Sequence, residues 1–140
     1  MKILHIISSL IKDDGGLPEI VKNLAHQQNN SQVVSHIATT QSKLKKLTLD
    51  SHLKGLKVFV FEREIFNSIQ FSYGFKKFMD NNIDRYDLIH IHGLYRFPTS
   101  YAAFKAKRNQ IPYIISTHGA LDPYLYNTSN KNLFLKRLWE

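Results

Sequence analysis

The chain has 140 residues, of which 43% are hydrophobic and 21% charged, a composition that fits one folded domain and excludes a disordered, collagen-like or purely coiled-coil protein. The absence of cysteine excludes disulfides and cysteine-ligated metal sites, and since no apolar run approaches ~20 residues and no secretory cleavage pattern is present, we expect a cytoplasmic protein. The net charge of +8 favours an anionic partner, for which nucleic acid, anionic lipid head groups and sugar nucleotides all qualify.

Strands and helices are predicted to alternate along the chain. An apolar run at 2–8 predicts a strand covered on both faces, and apolar residues at helical spacing predict a helix that begins near Leu17. Further strands are predicted at 33–39, 56–61, 86–93 and 113–117, and further helices at 71–82 and 97–108. This order predicts an α/β fold, a Rossmann-like, doubly wound, mainly parallel sheet with helices on both faces.

Two segments fall outside this alternation. Residues 43–57 carry five lysines and one acidic residue, Asp50, and we expect a mobile basic connection that attracts an anionic membrane surface. Residues 131–140 have apolar residues at helical spacing without a stop signal, so we expect the domain to be incomplete at its C-terminus.

Ligands of open α/β sheets bind beyond the carboxyl ends of the strands, and the first loop there contains Gly15 and Gly16. A glycine turn before a helix lets main-chain N–H groups and the helix N-terminus approach an anion such as phosphate. A plain turn also explains this pair, and Asp13 and Asp14 count against a phosphate.

The other candidate groups are histidines at the ends of later strands. His90 and His92 share one face of their predicted strand, but the pattern supplies no third ligand, so we expect no metal. We interpret His90 as a hydrogen-bonded core residue and His92 as the better placed to meet a ligand. His118, directly after the last predicted strand, is either a loop cap or a ligand group, and Arg96 is either an anion ligand or a surface residue.

Together these motifs resemble the N-terminal half of retaining glycosyltransferases of the GT-B fold, in the large family 4 of "group 1" transferases. The resemblance covers nearly all of the chain and rests on four segments in order, at 1–6, 15–19, 87–94 and 116–123. It implies transfer of a sugar from a nucleoside-diphosphate sugar to the hydroxyl of a carbohydrate or lipid-linked acceptor, with retention of configuration and with neither a cofactor nor an essential metal. A role in polysaccharide biosynthesis would fit this activity.

The resemblance also implies roles for individual residues. Gly15 and Gly16 would lie against the donor diphosphate, and His118, as the catalytic residue, would contact the donor sugar near the reacting carbon. The acceptor side would be lined by His92, Arg96 and Asp122.

Members of that family are much longer and have a second domain that binds the nucleotide. We therefore expect residues 1–140 to form a single acceptor-side domain that has little or no transferase activity without a complementary C-terminal domain. Several alternatives stay open: a non-catalytic fragment or split subunit that binds the acceptor, a nucleic-acid-binding domain, and a two-histidine metallohydrolase. A dinucleotide oxidoreductase is disfavoured because Thr39 and Thr40 stand where the second strand would need an acidic residue.

Overall fold

The computed structural model describes residues 1–11, 15–44, 53–64 and 68–121. Its strands are β1 (Lys2–Ile7), β2 (Val34–Gln41), β3 (Lys57–Glu62), β4 (Leu88–His92) and β5 (Tyr113–Ser116). Its helices are α1 (Leu17–Asn30), α2 (Tyr73–Asn82) and α3 (Phe97–Arg108), and a 3-10 turn at Ile83–Arg85 follows α2. Over these four ranges, no helix is long and apolar enough to cross a membrane.

The described strands form one parallel sheet in the order β3–β2–β1–β4–β5. The central strand, β1, pairs on one side with β2, where Ile3 is opposite Ser35, and on the other with β4, where Ile3 is opposite Leu88. The chain therefore builds outward from β1 to β3 and then returns past β1 to add β4 and β5. This topology confirms the predicted doubly wound fold, in which the strand order reverses between β1 and β4.

One face of the sheet, which we call the aromatic face, is covered by α2 and α3. Leu4 and Ile6 of β1 belong to a buried cluster with Phe75 of α2 and Ala102 of α3. Aromatic side chains from the neighbouring elements pack against this cluster: Phe59, Phe61, Phe78, Phe97 and Tyr101. The cluster is the main apolar core of the described residues.

The opposite face, which we call the histidine face, is covered by α1. Ile7 of β1 and Ile37 of β2 form a smaller buried cluster with Val21 and Ala25 of α1. Helices thus cover both faces, as the strand–helix alternation predicts.

Three histidines share this second face because of strand alternation and register. Side chains alternate along a strand, so His5 lies on the same face as Ile7. The parallel register of β1 and β4 then places His90 opposite His5, and His92 opposite Ile7. The sheet itself therefore brings together three imidazoles from two strands.

The observed elements differ from the predicted ones chiefly at their ends. α3 has the predicted bounds, whereas α2 begins at Tyr73 because the Ser72 hydroxyl accepts a hydrogen bond from the Phe75 N–H, at 3.3 Å, and caps the helix. β4 ends at His92 because Gly93 has φ of 88°, which interrupts extended backbone. The predicted helix at 131–140 and residues 45–52 of the basic connection lie outside the described residues.

Candidate functional site

The carboxyl ends of β1, β4 and β5 lie side by side where the strand order reverses. Neighbouring strands are about 4.8 Å apart, so the ends of β1 and β5 are separated by roughly 10 Å across the sheet. Gly15 and Gly16 lie in the connection from β1 to α1, and His118 follows β5 after one intervening residue. The topology therefore places both predicted loops on this edge of the sheet.

Left-handed backbone occurs after each of these three strands. The φ angles are 96° at Gly15, 88° at Gly93, 49° at His118 and 81° at Gly119. A β-carbon added at any of these three glycines would meet no atom within 4 Å, so the space beside them is open. His118 is the informative case, because this conformation costs a non-glycine residue about 1–2 kcal/mol and such strain concentrates at functional sites.

Among the described residues, no side chain caps the N-terminus of α1. Its N-cap is Gly16, and a β-carbon added there would also meet nothing within 4 Å. The first turn of a helix has N–H groups without an intrahelical carbonyl and carries the positive end of the helix dipole, so it can receive an anion. Glu19 in this turn is paired with the buried Lys22 at 3.0 Å, which offsets its negative charge.

The three histidines of the histidine face form a compact cluster behind this edge. One ring nitrogen from each of His5, His90 and His92 lies within 4.8 Å of the other two. His5 is fully buried and His92 is 2% exposed, whereas His90 is partly exposed. This arrangement supplies the third potential metal ligand, His5, that the sequence pattern lacked.

A line of hydrogen bonds runs through two of these histidines from α1 to the end of β5. Gln28 Oε1 accepts from His5 Nε2 at 2.7 Å, and the same oxygen accepts from the Ser35 hydroxyl. His5 Nδ1 lies 3.0 Å from His92 Nε2, and His92 Nδ1 lies 3.1 Å from His118 Nε2. We call these five residues the histidine chain; its outer end, His118, is exposed.

Burial holds the inner rings of the histidine chain neutral. Desolvation lowers the pKa of His5 to about 4, although its bond to Gln28 acts in the opposite direction. Desolvation and the neighbouring histidines lower the pKa of His92 to about 2, and burial also lowers the pKa of His90. A neutral imidazole has one donor and one acceptor nitrogen, so each inner ring donates to one neighbour and accepts from the other.

The structure reverses the expected exposure of the two histidines on β4. His92 is buried with both ring nitrogens bonded to other histidines, whereas His90 is partly exposed and bonded through Nε2 to the Ser116 hydroxyl at 2.8 Å. Both residues lie between β1 and β5: His90 pairs with His5 and Ile114, and His92 pairs with Ile7 and Ser116. The acceptor-side role of His92 stays a prediction, and direct contact would require it to exchange a histidine partner for the ligand.

Sequence analysis did not single out His5 or Gln28. A signal for His5 was available, because a polar residue inside an otherwise apolar strand must find a buried partner. Gln28 offered none, since its link to His5 spans 23 residues and depends on how α1 packs on the sheet.

A pocket of about 400 Å³ lies next to the same edge, on the aromatic face. It opens between β4, β5 and the start of α3, and its lining includes Ile91, Gly93, Thr99, Ile115 and Leu121. Its walls are mostly apolar, with hydroxyl groups at Thr99 and Ser100. This position suits a small organic ligand that reaches the strand ends from the α3 side.

The remaining predicted site residues stand outside the lining of this pocket. Arg96, the exposed N-cap of α3, donates to the Ser68 carbonyl, and it is adjacent in sequence to Tyr95 of the lining. Gly15, Gly16 and His118 belong to the strand-end loops described above. Asp122 lies outside the described residues.

The comparisons with known proteins agree with this architecture. The chain matches Glycosyltransferase Family 4 over residues 14–140. It belongs to that family. A comparison with curated proteins finds no match.

The solved structures that resemble this family 4 chain include one from Anabaena and one from Listeria monocytogenes. The crystal structure of Anabaena Alr3699/HepE in complex with UDP and glucose matches 99% of the chain with a TM-score of 0.62 and 22% identity. The structure of a proposed UDP-N-acetylglucosamine 2-epimerase from Listeria monocytogenes matches 81% of it with a TM-score of 0.51 and 15% identity. The chain spans 35% and 29% of these two proteins, about a third of each. These likenesses confirm the predicted fold, the N-terminal domain of a GT-B glycosyltransferase.

Proposed function

We propose that this chain is the acceptor-side domain of a retaining hexosyltransferase that uses a nucleoside-diphosphate sugar. The observation that carries the proposal is the edge at the ends of β1, β4 and β5, where the topology places both the loop that leads into α1 and the loop that holds His118, a residue with φ of 49°. Family membership supports sugar transfer. The likeness to a protein crystallised with UDP and glucose supports this donor class.

In this proposal the turn at Gly15 and Gly16 receives the donor diphosphate. Departure of a nucleoside diphosphate builds negative charge on its leaving oxygen. Fixed N–H dipoles directed at that oxygen stabilise the charge without reorganising during the reaction. Gly15 permits the left-handed turn at φ 96°, and Gly16 leaves room for the phosphate beside the helix.

His118 is the proposed contact to the donor sugar near the reacting carbon. Its exposed ring is hydrogen-bonded to His92, and its left-handed backbone, with φ of 49°, directs the side chain from the loop. Such fixed positioning is what a catalytic contact requires, because catalysis is sensitive to displacements of about 1 Å. His92, Arg96 and Asp122 keep their proposed places on the acceptor side.

The donor nucleotide would be bound mainly by a second domain. We propose that such a domain completes the enzyme, because the chain covers only about a third of each solved structure that it resembles. The 140-residue chain alone is then expected to show no turnover. Transfer of labelled glucose from UDP-glucose would be measured for the chain alone and for the chain joined to a complementary C-terminal domain.

The outcomes of this assay separate the parts of the proposal. Turnover only in the joined protein supports it, and a product with the anomeric configuration of the donor supports retention. Turnover by the chain alone would contradict the need for a second domain. If neither form transfers sugar from any nucleoside-diphosphate sugar while the joined protein is folded, the transferase proposal is wrong.

A His118→Ala variant of the joined protein tests the residue at the centre of the site. We expect its kcat to fall about 100-fold, because misplacing a reacting group by about 1 Å costs on the order of 10²-fold in rate. His26→Ala is the matched control, since His26 lies on α1 outside the histidine chain. Equal activities of the two variants would remove His118 from the reaction.

A further inference from the structure

The histidine chain has a direction that its chemistry fixes. Gln28 Oε1 is a carbonyl oxygen and can only accept, so the His5 Nε2 atom that lies 2.7 Å away must carry a hydrogen. The Ser35 hydroxyl donates to the same oxygen. Hydrogen bonds between Asn29 and the Ser35 backbone, at 2.7 and 3.4 Å, hold Ser35 in place beside the Gln28 amide.

The direction propagates outward one ring at a time. His5 is buried and neutral, so with its hydrogen on Nε2 its Nδ1 can only accept, and His92 must donate to it from Nε2 across 3.0 Å. His92 is neutral for the same reason, so its Nδ1 accepts across 3.1 Å from Nε2 of His118. A neutral His118 then has a hydrogen on Nε2 and a lone pair on Nδ1.

We propose that Gln28, acting through His5 and His92, holds His118 as the Nε2–H tautomer, so that His118 presents Nδ1 as a hydrogen-bond acceptor to a hydroxyl group of the donor sugar. The proposal deepens the function proposed above and rests on it for the identity of the ligand. Gln28, Ser35 and His5 are positioning residues, since none of them needs to touch the sugar. An acceptor nitrogen selects a hydroxyl over a phosphate oxygen, because a phosphate oxygen has no hydrogen to donate.

His5, His90 and His92 could instead bind a divalent metal ion. The hydrogen bonds of the histidine chain explain the positions of the rings better. His5 Nδ1 and His92 Nε2 already satisfy each other at 3.0 Å. Metal binding is therefore treated as an outcome that would overturn the proposal.

The direct test is the tautomer of each histidine in the purified protein, read from two-bond and three-bond ¹H–¹⁵N correlations after ¹⁵N-histidine labelling. We expect His5, His92 and His118 all to show the Nε2–H pattern at neutral pH. Gln28→Leu removes the fixed acceptor, and we expect His118 to change to a mixture of both tautomers. Gln28→Glu keeps an acceptor at that position and should retain the Nε2–H pattern.

Two further variants keep this test decisive. Gln27→Leu changes an exposed neighbour on the same helix and should leave every tautomer unchanged. Ser35→Ala removes only the second donor to the Gln28 oxygen, so it gives a milder form of the Gln28→Leu result if that variant does not fold. Three results would overturn the proposal. The first is an Nδ1–H pattern at His118 in the unmodified protein, and the second is an unchanged His118 tautomer in both Gln28→Leu and Ser35→Ala. The third is stoichiometric Zn²⁺ binding that shifts the ¹⁵N signals of His5 and His92.

Ligand affinity supplies a second readout in the protein joined to its C-terminal domain. We expect Gln28→Leu to weaken UDP-glucose binding about threefold to tenfold, the effect of one hydrogen bond, and to leave UDP binding unchanged. Equal loss for both ligands would contradict a contact to the sugar. If the unmodified protein binds no nucleoside-diphosphate sugar, the proposed donor class is wrong, while the tautomer measurements still decide whether Gln28 controls His118.

Discussion

The two faces of the sheet are built on different principles. The aromatic face buries a large apolar cluster with α2 and α3, and its buried histidine, His36, is bonded to the Tyr86 hydroxyl at 3.0 Å. The histidine face has a smaller apolar cluster. Its central strands also carry His5 and His92, whose rings are buried without an oppositely charged neighbour. Apolar burial stabilises a fold, whereas buried imidazoles gain little over their interactions with water. The contrast indicates that the first face supports the structure and the second serves the site.

The largest effect is expected on the aromatic face. Phe75→Ala removes a fully buried ring from the contact between α2 and the sheet, and we expect a loss of about 3–5 kcal/mol in the free energy of unfolding. Tyr73→Ala, at a side chain of the same helix that is 62% exposed, is the control and should cost much less. Urea denaturation measures both, and similar losses would show that this face is not the main core.

The histidine face should make stability depend on pH. The unfolded chain takes up a proton on His5 near pH 6.5, but the folded chain does so only near pH 4, so stability is complete above pH 6.5 and falls as the pH drops toward 4. His5 alone accounts for a loss on the order of 3 kcal/mol at pH 4, and His92 adds to it in the same direction. His5→Leu should flatten the pH dependence measured by denaturation between pH 4 and 7.

A control for this pH effect is His26→Asn, which removes a histidine of α1 outside the chain and should preserve the slope. A slope that is the same in His5→Leu as in the unmodified protein would place the acid-sensitive groups elsewhere.

Backbone strain at the ligand edge should have a smaller effect. Gly93→Ala forces an alanine into φ of 88°, and we expect a loss of about 1–2 kcal/mol, all of it from the backbone because no atom lies within 4 Å of the added carbon. Gly93→Asn should cost less, since asparagine tolerates this conformation better. Thermal unfolding of the two variants compares them directly, and a larger loss for asparagine would refute the backbone explanation.

The smallest effect is expected at the surface of the aromatic face, where Asp80 links α2 to α3. Its carboxylate lies 2.9 Å from Lys76, 2.7 Å from the Tyr101 hydroxyl and 3.0 Å from Lys105, and these bonds lower its pKa well below the usual range. Its contribution is therefore present above pH 4 and is lost as the pH falls further. Asp80→Asn should cost less than about 1 kcal/mol because the group is partly exposed. The loss in free energy of unfolding caused by Asp80→Asn would be measured by urea denaturation. A loss that about 1 M salt does not reduce would contradict an ionic origin.

The sequence predicted the fold well because the fold depends on local patterns. The helix at 97–108 has the expected bounds, and the order of strands and helices was sufficient to predict a parallel, doubly wound sheet. The positions of the glycine turn and of His118 after strand ends also follow from the sequence, while the roles of these residues stay predictions. Family membership, inferred from the same motifs, is confirmed.

The inner part of the site was not predictable in the same way. Whether His92 or His90 is buried depends on the neighbouring strands, and these are fixed by a register between segments far apart in sequence. The partnership of Gln28 with His5 depends in addition on how one helix packs on the sheet. Residue spacing alone carries no information about such contacts.

The position of β1 also has a consequence for how the protein is made. The central strand is synthesised well before its second neighbour, since Lys2 bonds to Asp87, which follows 85 residues later in the chain. At a synthesis rate of about 5–20 residues per second, β4, the second strand that pairs with β1, is made roughly 4–17 s after β1. During that interval one edge of this apolar strand is unpaired in the nascent chain. The yield of folded protein in cells should therefore depend on chaperone supply more than the stability of the folded state would suggest.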